Sequence, residues 1–119
     1  MAYDEALANR IGIVLKDPPN VVGKKMVGGI AFMVSGNMCC GVVKDTLMLR
    51  VGAENYESML SLPHAREMDF TGKSMKGMIY VDPDGLKSEE ELKTWVERAL
   101  EFVLSLPGEI VFRFQPLHR

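Results

Sequence analysis

The stretch Lys24 to Val51, KKMVGGIAFMVSGNMCCGVVKDTLMLRV, decides the fold. It reads as short strands joined by tight turns. Val21 to Val27 is a first strand, ending at Gly28-Gly29, where the backbone can turn or bulge. Ile30 to Val34 is a second, and Ser35-Gly36-Asn37 is a hairpin signal. Met38 to Val43 and Thr46 to Val51 follow, with Lys44-Asp45 as the turn between them. Connections of two or three residues cannot cross over between parallel strands, so the run is an antiparallel meander.

Both strand faces carry apolar residues. Ile30, Phe32 and Val34 share one parity; Ala31 and Met33 share the other. Leu47, Leu49 and Val51 likewise oppose Met48. One face is expected to pack on helices. The second is more apolar than a solvated face needs to be, which predicts that a second copy of the chain covers part of it.

The flanks supply the helices. Asp4 caps a first helix, whose stripe is Leu7, Ile11, Val14 and Leu15. Asp17-Pro18-Pro19-Asn20 ends it. Gly52 opens a short helix through Tyr56, Met59 and Leu60. His64 to Thr71 reads as irregular or extended, and Met75 to Val81 as a strand. Asp82-Pro83-Asp84-Gly85 fits a type I turn. Ser88 and Glu91 form a capping box before a last helix with an apolar stripe through Leu92, Trp95, Val96, Ala99, Leu100, Val103 and Leu106. Glu89 and Lys93 make an i, i+4 pair on it. The order predicts an α+β fold, a two-layer sandwich whose antiparallel sheet carries its helices on one face.

At 119 residues the chain fits one domain, with 47% hydrophobic and 25% charged residues. Its formal net charge of −2 lacks the basic excess usual in nucleic-acid binders. There is no leader pattern and no apolar run of the about 18 residues that a membrane helix needs, so a cytoplasmic location is expected and a membrane is not. Cys39 and Cys40 are the only cysteines. As strand neighbours they are expected to point to opposite faces, which disfavours a disulfide and suits free thiols in a reducing compartment. Most of the nine methionines are expected in the core.

The pieces Lys24-Lys25-Met26, Gly28-Gly29-Ile30-Ala31-Phe32, Gly36-Asn37-Met38, Leu47-Met48-Leu49-Arg50-Val51 and Pro63 to Val81 (PHAREMDFTGKSMKGMIYV), in this order, resemble the N-terminal domain of the TfoX/Sxy family. The likeness runs from about Tyr3 to Pro107. It implies a sheet-and-helix sandwich laid out like dimeric secretion chaperones. It also implies kinship with bacterial competence regulators, thought to act at promoters with the cyclic-AMP receptor protein. Those regulators carry a second domain related to DNA-binding helix-hairpin-helix modules. This chain ends where that domain would begin, so residues 1–107 are expected to be a stand-alone domain and 108–119 an unassigned tail. Val27 replaces a usual aromatic residue of the family. The tail alternates Ile110, Phe112 and Phe114 with Val111, Arg113 and Gln115, as an edge strand or a partner-binding arm would.

No residue set has the form of a catalytic centre. Gly72-Lys73-Ser74 looks like the end of a phosphate loop, but Glu67 stands where the motif needs glycine, and a strand follows where a helix must open. His64 and His118 are the only histidines, and no Cys or His spacing suggests a metal. No catalytic residue, cofactor or metal is therefore expected. Lys24, Lys25, Arg66, Lys73 and Lys76 are the candidate interaction patch, able to converge if the first strand neighbours the Met75–Val81 strand. The plainer alternative is a set of edge lysines that blocks aggregation. The expected function is a non-enzymatic regulatory or protein-interaction module, a homodimer with a protein partner in transcription. The rivals are a direct nucleic-acid binder using the basic patch, and a small-molecule binder or enzyme with a pocket near Cys39, His64 and Tyr80.

Overall fold

The computed structural model describes residues 3–18, 20–26, 28–70 and 73–106. Val27, Gly72 and the alternating tail lie outside them. Helix α1 spans Glu5–Val14, followed by strands β1 Val21–Met26, β2 Gly29–Val34, β3 Asn37–Val43 and β4 Thr46–Arg50. Then come α2 Tyr56–Leu60, β5 Ala65–Phe70, β6 Lys73–Val81, a 3-10 turn at Pro83–Gly85, and α3 Glu89–Leu104.

The meander forms because its turns allow nothing else. Ser35 (φ 51°) and Gly36 (φ 86°) are both left-handed, and Val34 pairs with Asn37 across them. That is the type I′ pattern, whose twist matches that of the flanking strands. All neighbours pair antiparallel in one six-stranded sheet of order β1-β2-β3-β4-β6-β5. The segment expected to be irregular or extended is β5. It pairs with β6, but a register irregularity between Glu67 and Asp69 interrupts the ladder, which explains its weak strand pattern.

The caps are as the sequence predicts. The Asp4 carboxylate accepts from Leu7 N at 3.1 Å, and Ser88 with Glu91 makes the full capping box. Glu89 does not pair with Lys93. Its carboxylate meets Arg10 at 3.1 Å, and Arg10 Nη2 also donates to the Leu86 carbonyl at 2.6 Å, tying α1 to the start of α3. A tertiary partner held by two acceptors outcompetes an exposed helical pair worth about 0.3–0.5 kcal/mol. The turn expected at Asp82–Gly85 tightens to 3-10, Asp82 O accepting from Gly85 N at 2.9 Å.

The three helices of the described residues all cover one face. Leu7 and Ile11 of α1, Tyr56 and Met59 of α2, and Leu92, Val96, Ala99 and Val103 of α3 share a core with Phe32, Val42, Leu47, Leu49, Ile79 and Val81. Burying each large aliphatic side chain here contributes about 1.5–3 kcal/mol. A second cluster, on the opposite face, joins Met48, Met68 and Met78 with Met38, Val43 and Tyr80, and takes no residue from a helix.

Candidate functional site

The register builds a row across the helix-free face. Lys24 pairs with Ala31, Ala31 with Gly41, Gly41 with Met48, Met48 with Tyr80, and Tyr80 with Arg66. Directly paired residues point to the same side, so the row crosses the whole sheet with a cation at each edge and apolar or small groups between. A parallel set adds Val22 opposite Met33. Val22 is 59% exposed and Met26 37%, both on the edge strand β1. Met48, Met68 and Met78 are buried and pack against the partly exposed Met38, Val43 and Tyr80. Flexible thioether side chains over small residues make a surface that adapts to what it touches.

The candidate basic patch is not gathered. β1 and β6 are separated by β2, β3 and β4, a span of about 19 Å at the usual strand spacing. The condition for convergence is therefore unmet. Lys24 sits on the helix-free face and Lys25, opposite Ile30, on the other. Arg66 lies at the far edge, its Nε 2.7 Å from Asp82 Oδ1 and its guanidinium 4.9 Å above the Tyr80 ring. Its charge is thus already engaged. Lys73 opens β6 opposite Phe70, and Lys76 is exposed on the same strand, beyond the Arg50–Met78 pair that closes the β4 ladder. As Lys73 and Ser74 begin a strand, no helix amides stand there to hold phosphate.

The cysteines depart from expectation. β2 and β3 shift register between Phe32 and Met33: Phe32 pairs with Cys40 and Met33 with Met38, leaving Cys39 as the extra residue of a bulge. The bulge cancels the alternation, so both thiols enter the helix-side core, fully buried and hydrogen-bonded to each other. The bond from Cys40 lowers the Cys39 thiol against its burial, with help from the Arg50 charge. Donating that bond and lying buried push Cys40 well up. Neither thiol reaches solvent, so the pair has the character of packing rather than of a nucleophile.

Cys39, His64 and Tyr80 are scattered: Cys39 is in the helix-side core, Tyr80 on the opposite face, and His64 on the turn before β5. The pocket imagined around all three does not exist. His64 instead lines an open cleft of about 430 Å³ with Met59, Leu62, Trp95 and Arg98. The sequence offered no spacing for it, because its walls come from α2, the turn after it, the 3-10 turn and α3. Trp95 as the single tryptophan was the one available signal, and its place in an amphipathic stripe read as core. Among the described residues, no three of His, Cys, Asp and Glu gather as a metal site would require, and no helix is long and apolar enough to cross a membrane.

Among known families, the model of the TfoX N-terminal domain matches residues 14–103. No curated protein and no solved structure matches the chain.

Proposed function

The chain belongs to the TfoX N-terminal domain family, and from that membership we propose that it is a non-enzymatic regulatory module that works by protein contact, in the cytoplasm, as a homodimer. The observation that carries this reading is the helix-free sheet face. It is apolar and rich in methionine, and no helix among the described residues supplies it with a partner. A single sheet normally leaves that side polar. The adjoining β1 edge, unpaired among the described residues, adds exposed Val22 and Met26, and such an edge favours self-association. Two thiols held as free cysteines suit a reducing compartment. Contact with protein is favoured over nucleic acid because Lys24, Lys25 and Arg66 stand on different faces and edges rather than along one groove.

Sedimentation velocity over a concentration series tests the reading. A species of twice the 13.3 kDa chain mass is expected at micromolar concentration. Met33→Asp, on the partly exposed part of that face, should return the monomer with an unchanged far-ultraviolet circular dichroism spectrum. A parent chain that stays monomeric at high micromolar concentration refutes the dimer.

A further inference from the structure

We infer that the cleft between α2 and the first turns of α3 is a binding site for a small apolar ligand carrying a single anionic group, a carboxylate or its equivalent. The cleft, at about 430 Å³, falls within the range of roughly 300–1,000 Å³ typical of small-molecule sites. Its walls are apolar: Met59 and Leu62 on one side, Pro63 at the turn, and the half-buried Trp95 indole on the other. Leu62 keeps 41% of its surface exposed, which a ligand's apolar body would cover.

The charges at the rim set the ligand's sign. Glu91 Oε1 accepts from both Ser88 N and Ser88 Oγ at 3.1 Å, so this carboxylate is committed to the cap of α3. Arg98, two helical turns further along, has no acidic partner among the described residues. Its fork of donors matches a carboxylate in two-point geometry. Glu91 keeps its negative charge at the start of α3, and Arg98 is the lining cation left to meet an anion.

His64 is the second donor, and its backbone is strained. Ala65 N donates to Leu62 O at 3.2 Å, closing a turn with Pro63 first and His64 second at φ 74°. That is the type II position normally left to glycine. Two contacts hold the histidine there. Its carbonyl accepts from Asp82 N at 2.9 Å, and Gly85 lies so close that a Cβ on it would come within 2.8 Å of the His64 Cβ. A strained residue fixed from two sides at the mouth of a cleft is the arrangement that binding sites maintain. Here it keeps the imidazole at the rim, on a turn that would otherwise relax.

Trp95 is the only tryptophan, so its emission reports on this cleft alone. Octanoate, titrated into the full chain, should shift and saturate that emission, with Kd of about 0.1–1 mM as suits a small ligand with one charged contact. Octanamide, of like shape but uncharged, should bind about tenfold more weakly, as should octanoate with the Arg98→Gln variant. Arg98 is exposed, so that variant folds as the parent does. Gly85→Ala, which displaces His64, should weaken both ligands. Amide shifts of Gly85 and the Trp95 indole in two-dimensional NMR provide a second readout. The proposal is overturned if neither readout saturates by low millimolar octanoate, if acid and amide bind equally, or if Arg98→Gln leaves the octanoate affinity unchanged.

Discussion

Replacing Gly41 by alanine puts one methyl group where the sheet has no room. Gly41 sits mid-strand in β3, paired with Ala31 on one side and Met48 on the other. A Cβ there would lie 2.5 Å from the Ile30 carbonyl oxygen, 3.2 Å from Ala31 Cα and 2.7 Å from Met48 Cε. The methionine methyl can rotate away at little cost. The Ile30 oxygen and the Ala31 Cα cannot, because they belong to the β2 ladder, so β2 must move off β3 by about 1 Å to reach ordinary contact. Overpacking of this kind costs about 1–3 kcal/mol, and one weakened ladder hydrogen bond adds about 1 kcal/mol. The expected loss is about 2–4 kcal/mol, or roughly 8–16 °C in Tm at ~4 °C per kcal/mol for a chain of this size. Thermal and urea unfolding followed by circular dichroism measure it. Gly12→Ala is the internal control. It lies on an exposed face of α1 with nothing within 4 Å of a new Cβ, and should gain about 0.8–1 kcal/mol from helix propensity. A Gly41→Ala Tm within about 3 °C of the parent would show that the close approach of β2 and β3 is not what fixes glycine there.

Arg10→Ala removes the donor to the Leu86 carbonyl and the partner of Glu89. The first is a charge-assisted bond to a buried residue and the second is largely exposed, so a loss of about 1.5–2 kcal/mol is expected, seen as a lower urea midpoint at unchanged slope. Ser88→Ala opens the capping box and should cost about 1 kcal/mol, read in the same way. Alkaline pH tests the thiol pair. Above the ordinary thiol value of 9.0 the unfolded chain releases the Cys40 proton while the folded chain keeps it. Stability should then fall by up to about 1.4 kcal/mol per pH unit. Cys39, lowered in the fold, acts in the opposite sense only below 9.0, where stability should rise with pH. Cys40→Ala should flatten the alkaline slope in unfolding measured from pH 8 to 10.5, and an unchanged slope would refute the assignment.

Much of the architecture was legible because it is set locally. Alternation between Ile30 and Val34, left-handed turn positions at Ser35-Gly36, and a cap followed by an i, i+4 stripe each depend on a few adjacent residues. β5 was harder to read because its ladder with β6 is interrupted, and a strand with a bulge loses the period that reveals it. The cysteines misled for the same reason: one extra residue in β3 reverses the alternation for Cys39 alone, and no local signal announces it. The basic residues were sorted by strand order. β1 takes one edge and β5 the other, an outcome of how β6 inserts between β4 and β5 rather than of any charge pattern.

By itself, then, the sequence determined the family, the α+β class, the meander, the caps and the presence of a second apolar sheet face, all readable from turn chemistry and side-chain period. Only the tertiary structure decided that the lysines stand apart, that both thiols share one core, that Glu89 answers Arg10, and that Trp95, Arg98 and His64 meet around a cleft. These depend on contacts between residues distant in the chain, where strand order and a single bulge determine what each side chain faces.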